Sequence, residues 1–470
     1  MDESSQKRHS LKRSLSALNL TAIGIGAVIG AGLFVLTGQV AAEYAGPGVV
    51  FSFLIAGLIS IFAALCYAEF ASLIPVAGSV YSYAYVTMGE FIAWIIGWGL
   101  TMQYLISACT VSVGWSGYFT SLLHDMGLSM PSSLSTAPLA YDFATGWHMS
   151  GSWFNLPAVA IVAIMGVLIS TGIKAAAKFN SIMVIIKLAV VAIFIACGVA
   201  FIQKDNLIPF IPENTGIFGQ FGWSGIFRGA GAVFFAFIGF DALSTLAQEA
   251  KDPQRDMPKG MLGSLSVCTF VYLIVALILV GLVNYTLLGV ADPIAVAMNV
   301  LGPKFLWLRL FIKVAILAGL TSVVMVMLLG QTRIFYTMAH DGLLPKRLGK
   351  IQEKNHIPLF TTVLVTLAAM VIAGTFPVGI LGLLVSMATF LGFAIVCFAV
   401  LILRYKQPHL HRPFKTPFVP WVPLAGTIAC LAQMALMPLV TWVQMLSWLG
   451  IGCVIYFTYG KKYSKVRNPA

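Results

Sequence analysis

Thr21-Ala-Ile-Gly-Ile-Gly-Ala-Val-Ile-Gly-Ala-Gly-Leu-Phe34 lies inside an apolar run, 18–42, long enough to cross a bilayer, yet it carries four glycines between Gly24 and Gly32. Glycine is a poor helix former, costing about 1 kcal/mol at an interior position relative to alanine. A membrane helix that breaks must satisfy its freed N–H and C=O groups, and lipid offers no partners. A break is therefore tolerated where it faces protein or a solvated cavity, and in transporters such cavities hold the substrate. The alternative is close helix packing, since Gly26 and Gly30 form a GxxxG pair. The segment alone leaves both open.

Composition decides the class. Of 470 residues 59% are hydrophobic and 9% charged, with a mean hydropathy of +0.93, against about a quarter charged in soluble proteins. This is a polytopic membrane protein. Runs near 18–42, 48–74, 91–121, 156–172, 182–202, 223–248, 261–285, 305–335, 359–376, 379–403, 419–440 and 443–459 predict about twelve spans.

The net charge of +12 does not mark a nucleic-acid surface, because its distribution follows topology. Basic residues cluster at Lys7, Arg8, Lys12 and Arg13 and then in alternate loops. Those loops hold Lys174 and Lys178; Lys251, Arg255 and Lys259; Arg333 through Lys354; and Arg404 through Lys415. The tail adds Lys461, Lys462, Lys465 and Arg467, whereas 122–154 has no Lys or Arg. This positive-inside pattern predicts a multi-pass protein of the cell membrane with both termini cytoplasmic. A basic start, an apolar run and Val40-Ala41-Ala42 imitate a signal peptide, but the run is too long for one.

The cysteines at 66, 109, 197, 268, 397, 430 and 453 all fall in apolar spans and read as packing residues. No histidine lies deep in a span. No metal and no cofactor is expected. The nearest glycine pattern, Gly24-x-Gly26-x-x-x-Gly30, lacks the dinucleotide-fingerprint spacing, and no nucleophile–base constellation or P-loop is present, so an enzyme is not expected.

The sixth span repeats the anomaly of the first: Ser224-Gly-Ile-Phe-Arg-Gly-Ala-Gly-Ala-Val-Phe-Phe-Ala-Phe-Ile-Gly239-Phe-Asp241 is glycine-rich, with an acid near mid-membrane. Two interrupted helices separated by four ordinary spans predict two five-span halves of opposite orientation and a midplane site between them. The halves are placed at 17–205 and 222–405, with two extra spans at 415–460. Residues 75–90 read as an interfacial helix, 286–304 as an outer surface segment, and Pro408–Pro420 as a stiff connector.

Gly30-Ala31-Gly32, Ala45-Gly-Pro47, Cys66-Tyr-Ala-Glu69-Phe, Ala77-Gly-Ser-Val-Tyr-Ser-Tyr-Ala-Tyr-Val-Thr-Met-Gly-Glu90 and Ala339-His-Asp-Gly-Leu-Leu344 resemble the cationic amino acid transporter family. That family sits in the amino acid–polyamine–organocation superfamily. The resemblance covers roughly residues 15–405. It implies an all-α membrane fold of about twelve helices, with the leucine-transporter-type five-plus-five inverted repeat and broken spans one and six. Animal members are longer, so the chain resembles a prokaryotic member. Where relatives carry an acid in span three, this chain has Gln103.

The resemblance also implies roles. Ala31, Gly32 and Leu33 at the start of the outer half of span one would offer N–H groups to a substrate carboxylate. Carbonyls of Val28, Phe235 and Ile238 would hold the ammonium, with Gly30 giving the break its room. Phe235 would close over the substrate from outside, its alternative being ordinary packing.

Among intramembrane polar groups, Lys187 in Asn180-Ser-Ile-Met-Val-Ile-Ile-Lys-Leu-Ala lies too deep for easy snorkelling and is the candidate proton-coupling residue, the alternative being a fixed lysine bonded to carbonyls without titrating. Asp241 is a helix cap or a gate, and Glu69 a structural or gating partner. Thr321 and Ser322 occupy a region where sodium-coupled relatives place hydroxyl ligands, or else bond back to their own helix. Arg228, Arg309 and Lys313 are expected to snorkel. The expected function is a proton-coupled symporter importing free L-amino acids by alternating access. An exchanger, a polyamine transporter and a non-transporting sensor are the alternatives; a channel could share the fold.

Overall fold

The computed structural model describes residues 15–73, 79–142, 145–171, 173–300, 302, 305–352, 357–465 and 467. The basic residues Lys7, Arg8, Lys12, Arg13 and Lys354, the side chains of Lys174 and Lys178, and the interfacial segment up to Gly78 lie outside them.

Helix is the only economical backbone for these apolar stretches, since it satisfies every N–H and C=O within one segment. Among the described residues, eight helical stretches are long and apolar enough to cross a membrane. Four shorter apolar helices, Ala17–Val28, Leu156–Thr171, Leu359–Thr375 and Trp421–Ala435, complete the twelve spans. The continuous stretch Gly32–Leu73 holds the outer half of span one, whose inner half is Ala17–Val28, and the whole of span two, because Gly46 turns the chain at φ 57° and Pro47 follows it. Twelve crossings put Ala17, at the start of span one, and Tyr463, at the end of span twelve, on one face of the helices, the terminal face.

Boundaries move where hydropathy and helix length part company. Span five begins at Ile173, although its apolar run starts near 182, because the polar first turns are still helical. Span three extends to Glu90–Asp125 and span eight to Leu306–His340. The interfacial segment is a helix, Ser79–Met88. The opposite-face segment contains a short helix, Pro293–Asn299. One element has no counterpart in the sequence reading: Leu139–Asp142 pairs antiparallel with Gly146–Met149 in the loop before span four.

Both glycine-rich spans are broken. Span one stops at Val28, where Ile29 is extended at φ −70° and ψ 112°. It resumes as π-wound Gly32–Leu36, α-helical Thr37–Val40 and π-wound Ala41–Ala45. Span six runs as Gly222–Val233, tightens to a 3₁₀ turn at Phe234–Phe237, opens at Ile238 and Gly239, and continues as 3₁₀ Asp241–Glu249. Gly239 stands at φ 121°, where a side chain is strained.

Spans three and eight form a tight support. A Cβ on Gly330 would lie 2.8 Å from the Tyr104 ring, and Trp115 Nε1 donates to Thr321 Oγ1 at 3.0 Å. Span twelve is fastened to span three by reciprocal bonds: Trp98 Nε1 donates to the Trp448 carbonyl (2.8 Å) and Trp448 Nε1 to that of Trp98 (3.0 Å). On the opposite face Asp125 ends span three between Arg309 (2.9 Å) and Lys313 (2.5 Å). Lys313 is 1% exposed, so it does not snorkel; an ion pair within the protein replaces solvent. Arg228 likewise bonds inside the protein, to the carbonyls of Phe218 (2.8 Å) and Leu436 (3.3 Å).

Candidate functional site

The two breaks meet. A Cβ on Gly32 would lie 2.2 Å from Ala236 Cα, so the outer half of span one rests directly on the 3₁₀ turn of span six. A Cβ on Gly239 would lie 2.8 Å from the Ala27 carbonyl oxygen, which closes the same junction from the terminal side. Gly30 is different: the nearest atom to its added Cβ would be Val323 Cγ2, at 3.4 Å. The two readings of the glycine segment therefore divide by position. Gly24 and Gly26 make room for neighbouring helices, with Val184 2.5 Å from a Cβ on Gly26, while Gly32 makes room for the other break.

The junction is sealed: Ile29, Ala31, Leu33, Phe235 and Ile238 are all buried. A helix start leaves its first N–H groups without upstream carbonyls. Here the amides of Leu33 and Phe34 both donate to the Gly30 carbonyl at 3.1 Å, so the Leu33 N–H, expected to face substrate, is already paired within the protein. The predicted ammonium-binding carbonyls carry protein donors too. Val28 O accepts from Tyr272 Oη at 3.0 Å, and Phe235 O accepts from the Ile238 amide at 3.2 Å.

Lys187 reaches this junction from span five. Its Nζ donates to the carbonyls of Gly26 at 2.5 Å and Ile29 at 3.0 Å, the last turn of the inner half and the first extended residue. Two of the three ammonium donors are accounted for in this way. The residue is 1% exposed, and a Cβ on Gly319 of span eight would lie 3.1 Å from its Cβ. One side chain thus links spans five and one, with its stem against span eight.

Asp241 Oδ1 accepts the Gly239 amide at 3.0 Å, inside the break and ahead of its own helix, and Ser244 Oγ donates to its carbonyl at 2.6 Å. Ser322 and Thr321 bond back to Gly319 (2.8 Å) and Leu317 (2.7 Å) of their own helix. Gln103 is buried with Nε2 lacking a partner among the described residues, and so is Ser107 Oγ one turn on.

Glu69 lies away from the junction. It accepts Arg404 Nε (3.1 Å), Arg404 Nη2 (2.9 Å) and the Thr416 amide (2.7 Å), and forms an ion pair with Arg412, whose Nε lies 3.2 Å away outside hydrogen-bond geometry. Arg412 also caps the end of span ten, donating to the carbonyls of Gln407 and Leu410 at 2.8 Å. One buried carboxylate therefore binds span two to the end of span ten and to the proline-rich connector. That double arginine pairing is strong because it is charge-assisted and partly bidentate.

Three contributors escaped the sequence reading. Tyr272 of span seven places its hydroxyl against the carbonyls of Val28 and Ala236 (3.0 and 2.8 Å), one on each broken span. Tyr118 of span three donates to the Phe34 carbonyl at 2.5 Å. Ser386 of span ten accepts the Phe235 amide at 3.1 Å. The available signal was weak: each is a lone hydroxyl in an apolar span, and a buried hydroxyl requires a partner without disclosing which.

The neighbouring phenylalanines differ. Phe234 is wholly buried and stacks on Phe390 with ring centroids 3.9 Å apart, whereas Phe235 keeps 6% exposure and is held by its amide. Phe234→Ala should therefore cost stability, about 3–5 kcal/mol for a buried phenylalanine, and lower the melting temperature. Phe235→Ala should lower uptake per folded molecule with a smaller change in melting temperature. Equal losses of both quantities in the two variants would assign Phe235 to packing.

A family model described as amino acid permease matches residues 15–459. The chain is 43% identical over 462 residues to a branched-chain amino acid permease of Bacillus subtilis, covering 98% of this chain and 95% of the relative. It is 41% identical over 458 residues to a methylthioribose transporter of Bacillus subtilis, covering 97% and 95%. It is 34% identical over 406 residues to the vacuolar cationic amino acid transporter 4 of Arabidopsis thaliana, covering 85% and 64%.

Proposed function

We propose, from the premise that this chain belongs to the amino acid permease family, that it imports free L-amino acids across the cell membrane as a proton-coupled secondary transporter. The observation that carries the coupling is the Lys187 ammonium on the Gly26 and Ile29 carbonyls. A charged group this deeply buried is expensive unless its partners are in place. Protonated, Lys187 ties span five to the inner half of span one; deprotonated, it loses its charge-assisted hold on those carbonyls and the inner half is freed to move. A proton then drives the cycle because it binds the two conformations unequally.

The substrate carboxylate is assigned to the Ala31 and Gly32 amides, and its ammonium to the carbonyls of Val28, Phe235 and Ile238. Loading requires local separation of the two breaks, since these groups now lie against one another. Residues 17–205 and 222–405 are taken as the inverted repeats that rock about this junction, with both termini cytoplasmic. Glu69, Arg404 and Arg412 then close the cytoplasmic side.

A neutral substrate with an apolar side chain fits best. Gln103 carries no charge to pair with a cationic side chain, and Asp241 is committed to the Gly239 amide. The branched-chain permease relative agrees with this choice. Counterflow of labelled leucine in proteoliposomes, competed by the natural amino acids one at a time, tests it. Competition by leucine, isoleucine and valine is expected. Competition only by lysine, arginine or a polyamine would overturn the neutral assignment. Competition only by a thiomethyl sugar would favour the chemistry named for the methylthioribose transporter.

A further inference from the structure

Tyr272 occupies a position that substrate recognition alone does not explain. Its hydroxyl lies 3.0 Å from the Val28 carbonyl and 2.8 Å from that of Ala236, so it spans both breaks. A phenol has one hydrogen and can serve one carbonyl fully at a time. Its ring is wholly buried and fixed between Phe53 and Phe237, with centroids at 5.4 and 5.3 Å. The hydroxyl can therefore turn about its own bond but cannot leave, and no solvent reaches it to take its place.

A carrier that produces net uptake must close its site twice in each cycle, once with substrate and once without. Closing without substrate would bury the break carbonyls with no donor, which is the expensive way to treat a polar group. We infer that the Tyr272 hydroxyl substitutes for the substrate ammonium in the unloaded carrier, donating to the break carbonyls so that the site closes and returns. With substrate bound, the ammonium donates to Val28 O in place of the hydroxyl, so the loaded closure does not depend on the phenol hydrogen there. Tyr272 is then a positioning residue for the return step. This rests on the assignment of Val28 to the ammonium site above.

The inference predicts a split between transport modes. Exchange uses only loaded closures; net uptake also needs the unloaded one. Tyr272→Phe keeps the ring and its packing while removing the donor. In proteoliposomes it should retain leucine counterflow but lose net uptake into substrate-free vesicles by about tenfold, the scale of one buried hydrogen bond. Leucine affinity, read as a thermal shift of the purified protein, should stay equal or tighten, because the ammonium no longer competes with the phenol. Incorporating 4-aminophenylalanine at 272, which restores an N–H donor at the same point, should return net uptake. Tyr118→Phe removes a comparable buried bond to span one but touches a single carbonyl, at Phe34; it should lower both modes together. Equal losses in Tyr272→Phe, no loss in either mode, or weakened leucine affinity would overturn the inference. Failure of the wild type to exchange amino acids would instead remove the functional assignment beneath it.

Discussion

Lys187→Ala should abolish concentrative uptake driven by an imposed pH gradient, acid outside and sodium absent, while exchange of internal for external amino acid should survive. The physical reason is local. Lys187 supplies the ammonium that holds the Gly26 and Ile29 carbonyls, and span one is interrupted there. Without it, the span-one carbonyls lose the titratable donor that binds them, and the proton ceases to discriminate between conformations through that contact. A coupling free energy that goes to zero leaves a facilitated carrier, not an inactive one. Lys187→Arg is the informative companion. Its guanidinium keeps donors but does not give up its proton in proteins, so it should also lose concentrative uptake. The measurement is steady-state accumulation of labelled leucine with and without the gradient, for wild type and both variants. A sodium requirement in the wild type, or accumulation against the gradient by Lys187→Ala, would rule the mechanism out.

The second large effect belongs to Gly32. Gly32→Ala should remove measurable leucine binding and transport, because the new methyl would fall 2.2 Å from Ala236 Cα, a backbone atom that cannot step aside. The two breaks would be forced apart, and the N–H groups of span one would no longer face the carbonyls of span six in one site. Displacing opposed recognition groups by even 1 Å costs about a hundredfold in comparable sites. Gly30→Ala, two residues away, is the control. Its methyl meets Val323 Cγ2 at an ordinary 3.4 Å, so its effect should be several-fold at most. Thermal-shift titration with leucine, together with the melting temperature of each unliganded variant, separates lost binding from lost folding. Equal loss of affinity at 30 and 32 would mean that glycine flexibility, not the contact between breaks, governs the site.

The sequence reading went far where the chemistry of lipid leaves one solution. Long apolar runs must be helices, and twelve of them were legible because hydrocarbon imposes the same length on each. The breaks in spans one and six were legible as well, because glycine is costly in a helix and two such segments four spans apart would not be kept for helix formation alone. The acid at Glu69 and the ammonium at Lys187 announced themselves as charges in an apolar background. In each case a single residue or run carried its own free-energy argument.

What only the tertiary structure decided is which group meets which. Gly30 and Gly32 are indistinguishable in the chain, yet one faces a valine methyl and the other a backbone Cα. The chain leaves the partner of Asp241 open, and only packing places its carboxylate on the Gly239 amide. Glu69 needed two arginines more than 330 residues away in sequence. Tyr272 and Tyr118 carried no signal of their roles, because a buried hydroxyl requires a partner but its sequence neighbours do not name one. Membrane burial is a property of each segment, so it can be read along the chain. Pairing of carbonyls with donors is a property of how segments cross, and it exists only once they are packed.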